Sequence, residues 1–351
     1  MESSGGATLA ELGWRQYFQA QVSTDELEAT MPARVIGVER DLLQLAGLNS
    51  AHTVPLPRNF VVDGELVVTV GDWILLDAKS SRPVRVLERM GAFRRKAPGS
   101  DRRIQLIAAN VDTLFILTSA DHDFNIARIE RYLTLAREGC ASPVIVVSKA
   151  DLHDDVQSLT AEASRVGTLV EAVDARSAES VAVLRTWCGT GQTVALLGSS
   201  GVGKSTLVNT LAGSDLATQG VREADSKGRH TTTRRSMHRL QDGGWLLDTP
   251  GMRELQLFDV GDALGEVFAE ITGLAESCRF SDCRHESEPG CAVLAAIDHG
   301  GIDADRLKRY RKLQSESFRH SASLAERRAR DRSQGQLYKS VQQMKKDRNR
   351  G

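Results

Sequence analysis

The residues Gly198-Ser199-Ser200-Gly201-Val202-Gly203-Lys204-Ser205-Thr206 have the types and spacing of a phosphate cradle. Glycines let successive backbone N–H groups turn inward around phosphate oxygens, and a helix starting at the end of the run adds partial positive charge. Lys204 is placed to reach the β- and γ-phosphates, and the Ser205 hydroxyl is a ligand for Mg²⁺. An apolar strand, 193–197, precedes the run and a helical pattern, 207–211, follows it, the setting such a loop requires. Residues 198–206 are therefore predicted to line a nucleotide-phosphate site.

Two later segments fit the triphosphate end of that site. Trp245-Leu246-Leu247 runs into Asp248-Thr249-Pro250-Gly251, which places Asp248 at the end of a buried strand, 44 residues beyond Lys204. There its carboxylate suits Mg²⁺ coordination through water, and the Gly251 N–H can meet the γ-phosphate. Between the two lies Gly228-Arg229-His230-Thr231-Thr232-Thr233, polar and without strand or helix pattern. The spacing selects Thr232 to complete the Mg²⁺ shell when γ-phosphate is present, with Thr231 and Thr233 as neighbours of the same type. Ras-like enzymes orient the attacking water with a glutamine just after this Asp-x-x-Gly motif, but here Met252 follows Gly251, and a thioether cannot do so. His230 is the nearest group able to accept a hydrogen bond from that water; the other reading is that it docks the loop on RNA or protein.

The base is read from the opposite direction along the chain. Ser148-Lys149-Ala150-Asp151 follows the apolar strand 144–147. A carboxylate there, Asp151, can accept from guanine N1–H and N2–H₂ while the Lys149 stem stacks on the ring. Open α/β sheets put ligand contacts at such strand ends. Val173-Asp174-Ala175, on the next strand, offers the Ala175 N–H to guanine O6. Asp151 precedes Gly198 by 47 residues, so base reader, phosphate loop and switches occur in a rotated order: a circular permutation. Around this site the rhythm is strand 111–118, helix 126–139, strand 144–147, helix 156–166, strand 169–173 and helix 180–187, as in a doubly wound parallel sheet.

Cys278-x4-Cys283-x-His285-x5-Cys291 supplies three thiolates and an imidazole, the number and types of a closed tetrahedral Zn²⁺ site. His299 stands in reserve for His285. Cys140 and Cys188 stand alone in helical segments and are expected to pack.

At 351 residues the chain exceeds one ordinary domain. Its 41% hydrophobic and 26% charged content is that of soluble material. No run of 18 apolar residues crosses a membrane, and no leader pattern follows Met1. The cysteines do not form a disulfide framework, which fits a cytoplasmic compartment. From Arg306 onward there are 15 Lys/Arg against 4 Asp/Glu, a charge that suits a polyanionic partner such as nucleic acid. Residues 1–30 read as a polar extension with one amphipathic helix near 12–18. Short alternating strands at 34–39, 41–45, 67–70, 73–77 and 84–89 suggest a small barrel, of the OB type or SH3-like. Residues 91–101 read as a linker. The domains expected are 1–30, a barrel at 31–92, a permuted nucleotide domain at 100–263, a helical metal domain at 264–326 and a basic tail at 327–351.

Taken together, the barrel, the order of these motifs and the Cys-Cys-His-Cys cluster resemble the RsgA (YjeQ) family over about residues 31–300. The resemblance implies a multi-domain α/β protein with an N-terminal OB-fold, a circularly permuted P-loop GTPase domain and a C-terminal helical zinc domain. It further implies a GTP phosphohydrolase using Mg²⁺, which binds the 30S subunit and its rRNA during late maturation and is stimulated there. The chain is expected to act as a monomer. The alternatives are a nucleotide-gated RNA-binding module whose hydrolysis is incidental, or a permuted GTPase of the large subunit. One departure is Ser148, where the family has Asn; the shorter side chain should loosen the hydrogen bonds that brace this loop and touch the base. Asp151→Asn is expected to shift preference from GTP toward xanthosine triphosphate by ~10²-fold, read from competitive binding of the two nucleotides.

Overall fold

A computed structural model describes residues 7–39, 41–48, 50–62, 65–96, 104–121, 123–213, 235–248, 252, 255, 257 and 260–318. They fall into two compact units. One comprises Met1–Lys96 with Ile104–Gln256, the other Ala97–Arg103 with Leu257–Gly351.

The first unit is built on an eleven-stranded sheet. In its parallel part, Leu169–Val173, Ser142–Ser148, Thr113–Ser119, Thr193–Gly198 and Trp245–Asp248 lie side by side in that order. All seven residues of Thr113–Ser119 are buried, as expected of a parallel strand covered on both faces. Phe115, Leu117, Val144, Val146, Val173 and Val194 form one core with Val181, Leu184, Leu207 and Leu211 from the covering helices. Two further helices of this part start at polar caps: the Asn125 side chain accepts from the Arg128 N–H ahead of Ile126–Glu138, and Asp155 accepts from Ser158 ahead of Val156–Ser164. The chain starts in the middle with Thr113–Ser119, builds outward to one edge, then returns to lay Thr193–Gly198 on the other side. The strand order therefore reverses between Thr113–Ser119 and Thr193–Gly198. A crevice at such a reversal is where these sheets bind ligands.

The antiparallel part runs Ser50–Pro55, Leu42–Gly47, Thr30–Val38, Trp73–Asp77 and Pro83–Val86. Thr30–Val38 also pairs with Arg235–Arg239 through Gly37↔Ser236 and Val38↔Arg235. Arg235–Arg239 pairs in turn with Trp245–Asp248. The N-terminal strands and the α/β strands thus share one sheet.

Several elements differ from expectation. Val67–Val70 is not a strand: Val68 and Val70 are buried, but the Val67 N–H donates to Phe60 and the Val70 carbonyl accepts from Ala109, so no ladder forms. Ser50–Pro55 is a strand that alternation missed, because at a sheet edge only Val54 is buried. The expected linker contains a strand, Ala92–Lys96, paired with Ile104–Ala109. Phe93 and Arg95 are buried despite the surrounding charge. Residues 180–187 divide into a short α-helix, Ala178–Val181, and a 3-10 helix, Ala182–Trp187.

The polar N-terminal segment is packed into this unit. Its only helical turn near the expected place is Gln16–Gln19, and Leu12 and Phe18 are buried. Phe18 and Trp14 lie against Trp73. The Trp245 indole donates to the Glu11 carbonyl at 2.8 Å. At the centre, the fully buried Arg34 guanidinium donates to the Leu12 carbonyl at 2.5 Å, the Thr193 hydroxyl at 2.7 Å and the Asn110 carbonyl at 3.4 Å. Burial lowers its pKa to about 10, partly offset by Asp112 and Asp72, so it stays charged at neutral pH. A Cβ on Gly13 would stand 2.7 Å from Arg34 Nη1, and one on Gly191 would stand 2.5 Å from the Ala10 carbonyl; glycine allows both approaches.

The second unit gathers Gly261–Val267, Ala269–Ala275, Ala292–Asp298 and a helix at 304–318 around Phe268, Ile271, Val293 and Leu307. The Arg306 guanidinium lies 4.7 Å over the Phe268 ring. The basic tail at 327–351 lies outside the described residues.

Arg34→Met leaves two carbonyls and a hydroxyl without their buried donor. It is expected to lower the unfolding free energy by about 3 kcal/mol, with cleavage near residues 7–15 in limited proteolysis. An unchanged urea midpoint would count against the role assigned to Arg34.

Candidate functional site: phosphate loop, base loop and metal cluster

The phosphate loop leaves the carboxyl end of Thr193–Gly198 and delivers the chain to the helix Lys204–Ala212. Gly201 at φ +77° and Gly203 at φ +95° take the left-handed turns that a Cβ opposes. Val202 between them is buried in the core and anchors the loop from beneath. Ser200, Ser205 and Thr206 are exposed, and Ser199 is half-buried. Lys204 Nζ lies back over the loop, donating to the Gly198 carbonyl at 2.8 Å and to that of Ser199.

The base loop stands beside it. Ser148 is fully buried; its hydroxyl reaches the Val202 carbonyl at 2.6 Å, with the Thr118 carbonyl at 3.2 Å. The short side chain thus keeps a brace on the phosphate loop. Lys149 sits at φ +57°, and its ammonium meets Asp121 Oδ2 at 2.8 Å. That contact, with the Ser119 hydroxyl and the Asp123 N–H, holds the Asp121 carboxyl well below the usual carboxylate range. Asp151 follows half-buried Ala150, and its Oδ2 takes Arg176 Nη2 at 2.6 Å. The Ala175 carbonyl accepts from the Thr210 hydroxyl at 2.6 Å, which ties that loop to the phosphate-loop helix. Sequence reasoning named neither Asp121 nor Arg176. The available signal was their position just beyond the carboxyl ends of Thr113–Ser119 and Leu169–Val173.

On the triphosphate side, Asp248 closes a strand in parallel register with the phosphate-loop strand, Ala195 opposite Leu247. Met252 is buried. His230, Thr231, Thr232, Thr233 and Gly251 lie outside the described residues.

In the second unit the ligand atoms of Cys278, Cys283, His285 and Cys291 all lie within 4.8 Å of one another and could hold a metal ion. Cys291 Sγ is 3.8 Å from Cys278 Sγ and 3.3 Å from His285 Nδ1, which is 3.7 Å from Cys278 Sγ. Burial lowers the His285 pKa, favouring the neutral imidazole that binds metal. His285 adopts φ +57°, and the Glu288 carboxylate spans its turn, accepting from Arg284 N at 2.8 Å, Glu286 N at 2.7 Å and Ser287 N at 3.0 Å. His299 is not in the cluster; its Nδ1 lies 2.6 Å from the Ala295 carbonyl. Cys188 packs as expected, with burial pushing its thiol up to about 12, whereas Cys140 is exposed at the end of its helix.

A glycine-rich loop at the sheet's switch point, with the Ser148–Asp151 segment proposed for the base earlier in the chain, has the order of a circularly permuted P-loop GTPase. Solved structures of the same fold are YjeQ from Thermotoga maritima, at TM-score 0.62 and 24% identity over 82% of this chain and 99% of that one, and YloQ, described as a circularly permuted GTPase, at 0.59 and 20% over 82% and 95%. The RsgA GTPase family profile matches residues 86–258. A relative from Vibrio parahaemolyticus, small ribosomal subunit biogenesis GTPase RsgA 2, is 48% identical over 97% of this chain and 94% of its own. Another, from Mesorhizobium japonicum, small ribosomal subunit biogenesis GTPase RsgA, is 46% identical over 90% and 91%. The chain belongs to the RsgA family of GTPases and hydrolyses GTP to GDP and phosphate.

Glu288→Ala frees the turn that presents His285. It is expected to weaken metal retention by about 10-fold or more, as loss of a supporting partner of a ligand does. Co²⁺ titration of the full chain, followed by its thiolate absorption bands, measures this.

Proposed function

We propose that this chain docks on the small ribosomal subunit and couples GTP hydrolysis to its late maturation, acting as a monomer in the cytoplasm. The single observation that carries the reading is the near full-length likeness to a GTPase named for small ribosomal subunit biogenesis.

In this reading the backbone of Gly198–Thr206 cradles the phosphates, and Lys204 moves from its own carbonyls to the β- and γ-oxygens. Asp151 accepts from guanine N1–H and N2–H₂, Ala175 N–H meets O6, and the Lys149 stem covers the ring. Ser205, Thr232 and, through water, Asp248 would hold Mg²⁺, which when bound neutralises charge developing on the phosphates. Ser205, exposed in the first helical turn beside Lys204, fits that use. The Gly251 N–H would meet the γ-phosphate, and His230 would hold the attacking water when the chain is bound to the subunit.

Zn²⁺ is the ion assigned to the cysteine–histidine cluster. Tetrahedral zinc with sulfur at about 2.3 Å and nitrogen at about 2.0 Å sets neighbouring ligand atoms about 3.5–3.8 Å apart. The distances of 3.7 and 3.8 Å match that frame, and the 3.3 Å between His285 Nδ1 and Cys291 Sγ is slightly shorter. The site is structural, since four protein ligands leave no open position. The N-terminal strands form an OB-type barrel that meets rRNA. Their order, with Thr30–Val38 between Leu42–Gly47 and Trp73–Asp77, supports this, and the run of basic residues toward the C-terminus adds charge for the same partner.

Sedimentation with purified 30S and 50S subunits tests the reading, using GDP and a non-hydrolysable GTP analogue. The expected outcome is analogue-dependent pelleting with 30S, together with 30S-stimulated turnover. Lys204→Ala should reduce that turnover by about 10²–10³-fold, and His230→Ala should lower it while 30S binding persists. Pelleting with 50S alone would transfer the assignment to the large subunit.

A further inference from the structure

Arg176 spans the two loops assigned to the base. Its Nη2 lies 2.6 Å from Asp151 Oδ2, on the loop after Ser142–Ser148. Its own N–H, at 2.9 Å, and its Nε, at 3.3 Å, both meet Asp174 Oδ1, on the loop after Leu169–Val173. The Asp174 N–H donates in turn to the Ser180 hydroxyl at 2.9 Å, which fixes that carboxylate's residue to the next helix. One guanidinium therefore links the acceptor of guanine N1–H and N2–H₂ to the loop whose Ala175 N–H meets O6. The two strands are neighbours in register, Ser148 opposite Val173, so the loops leave the sheet together. Beyond that point Arg176 is the ionic link between them among the described residues.

We propose that Arg176 is a positioning residue for guanine recognition, setting the orientation of the Asp151 carboxylate and its spacing from the Ala175 N–H before the base arrives. The inference rests on the reading of Asp151 as the guanine acceptor. Two oxygens must be aimed for N1–H and N2–H₂ to be met at once, and a carboxylate on an exposed loop turns freely unless one oxygen is held. A carboxylate oxygen has two acceptor sites, so Oδ2 can keep Arg176 while it accepts from the base. The Arg176 side chain is 67% exposed and that of Asp151 28%, so the pair is screened by salt and its effect is modest.

The test measures GDP and IDP affinity of the full-length protein by fluorescent-nucleotide displacement, at about 50 mM and about 500 mM salt. Arg176→Ala is expected to bind GDP about 2–5-fold more weakly at low salt and to converge with the unsubstituted protein at high salt. IDP lacks the N2 amine and needs only one aimed oxygen, so the GDP-to-IDP preference should fall. Arg176→Lys should restore part of it, and in an Asp151→Asn background the Arg176→Ala effect should vanish. Tighter GDP binding by Arg176→Ala would show that the arginine competes with the base and would overturn the proposal. So would an unchanged GDP-to-IDP ratio at low salt, or a loss that persists without the Asp151 charge. Asp151→Asn alone, scored with XDP, separates the two readings: no gain of XDP over GDP removes the base assignment itself. A gain alongside an idle Arg176 removes only the positioning role.

Discussion

The buried guanidinium of Arg34 is the contact on which the first unit depends. It comes from the longest N-terminal strand, and its donors end on three separate segments: the N-terminal coil at Leu12, the turn at Asn110 and the foot of the phosphate-loop strand at Thr193. A buried charge without such acceptors would cost several kcal/mol. The three acceptors lose an equal partner if the charge leaves. Neither side is stable without the other, and this holds the segments in one arrangement. Gly13 and Gly191 exist in service of it, because only a missing Cβ lets the coil approach the guanidinium and the turn before the strand.

A second constraint follows from hydrogen-bond saturation. Thr30–Val38 gives one edge to Leu42–Gly47 and divides the other between Trp73–Asp77 and Arg235–Arg239. Arg235–Arg239 in turn pairs Ser236 with Asp248, the last residue of the strand leading to the Asp-Thr-Pro-Gly segment. The N-terminal strands are thus joined by backbone bonds to the strand that ends at Asp248. Sheet ladders transmit register rather than flexing freely, since a shift of one residue would turn every side chain to the other face. The metal loop is self-contained by comparison. Four ligand atoms and one carboxylate accepting three N–H groups define its shape locally.

Legibility differed by element for physical reasons. The parallel strands were readable because burial on both faces leaves continuous apolar runs such as Leu114-Phe115-Ile116-Leu117. Ser50–Pro55 was not, since an edge strand buries little and the more covered positions Ser50 and His52 are polar. Ala92–Lys96 was masked by the charge of its sequence, yet the long apolar stem of Arg95 allows that residue to lie buried in the sheet. Val67–Val70 misled in the opposite sense: alternation shows which side chains are buried, but not whether a neighbour takes the backbone bonds.

The sequence by itself determined the motifs of this protein and their order. Local spacing points to a phosphate loop at residues 198–206, because such a loop works through consecutive backbone N–H groups, and it picks out, within fourteen residues, the Cys-Cys-His-Cys cluster that could hold a metal ion. Motif order alone revealed the permutation. Only the tertiary structure decided which distant groups serve those motifs. Asp121 reaches Lys149, Arg176 reaches Asp151, Ser148 braces Val202, and Arg34 reaches Thr193 across 159 positions of chain. Such pairs are set by strand order and by burial that enforces partnering of polar groups. Both are properties of the packed sheet, with no counterpart in a local window of sequence.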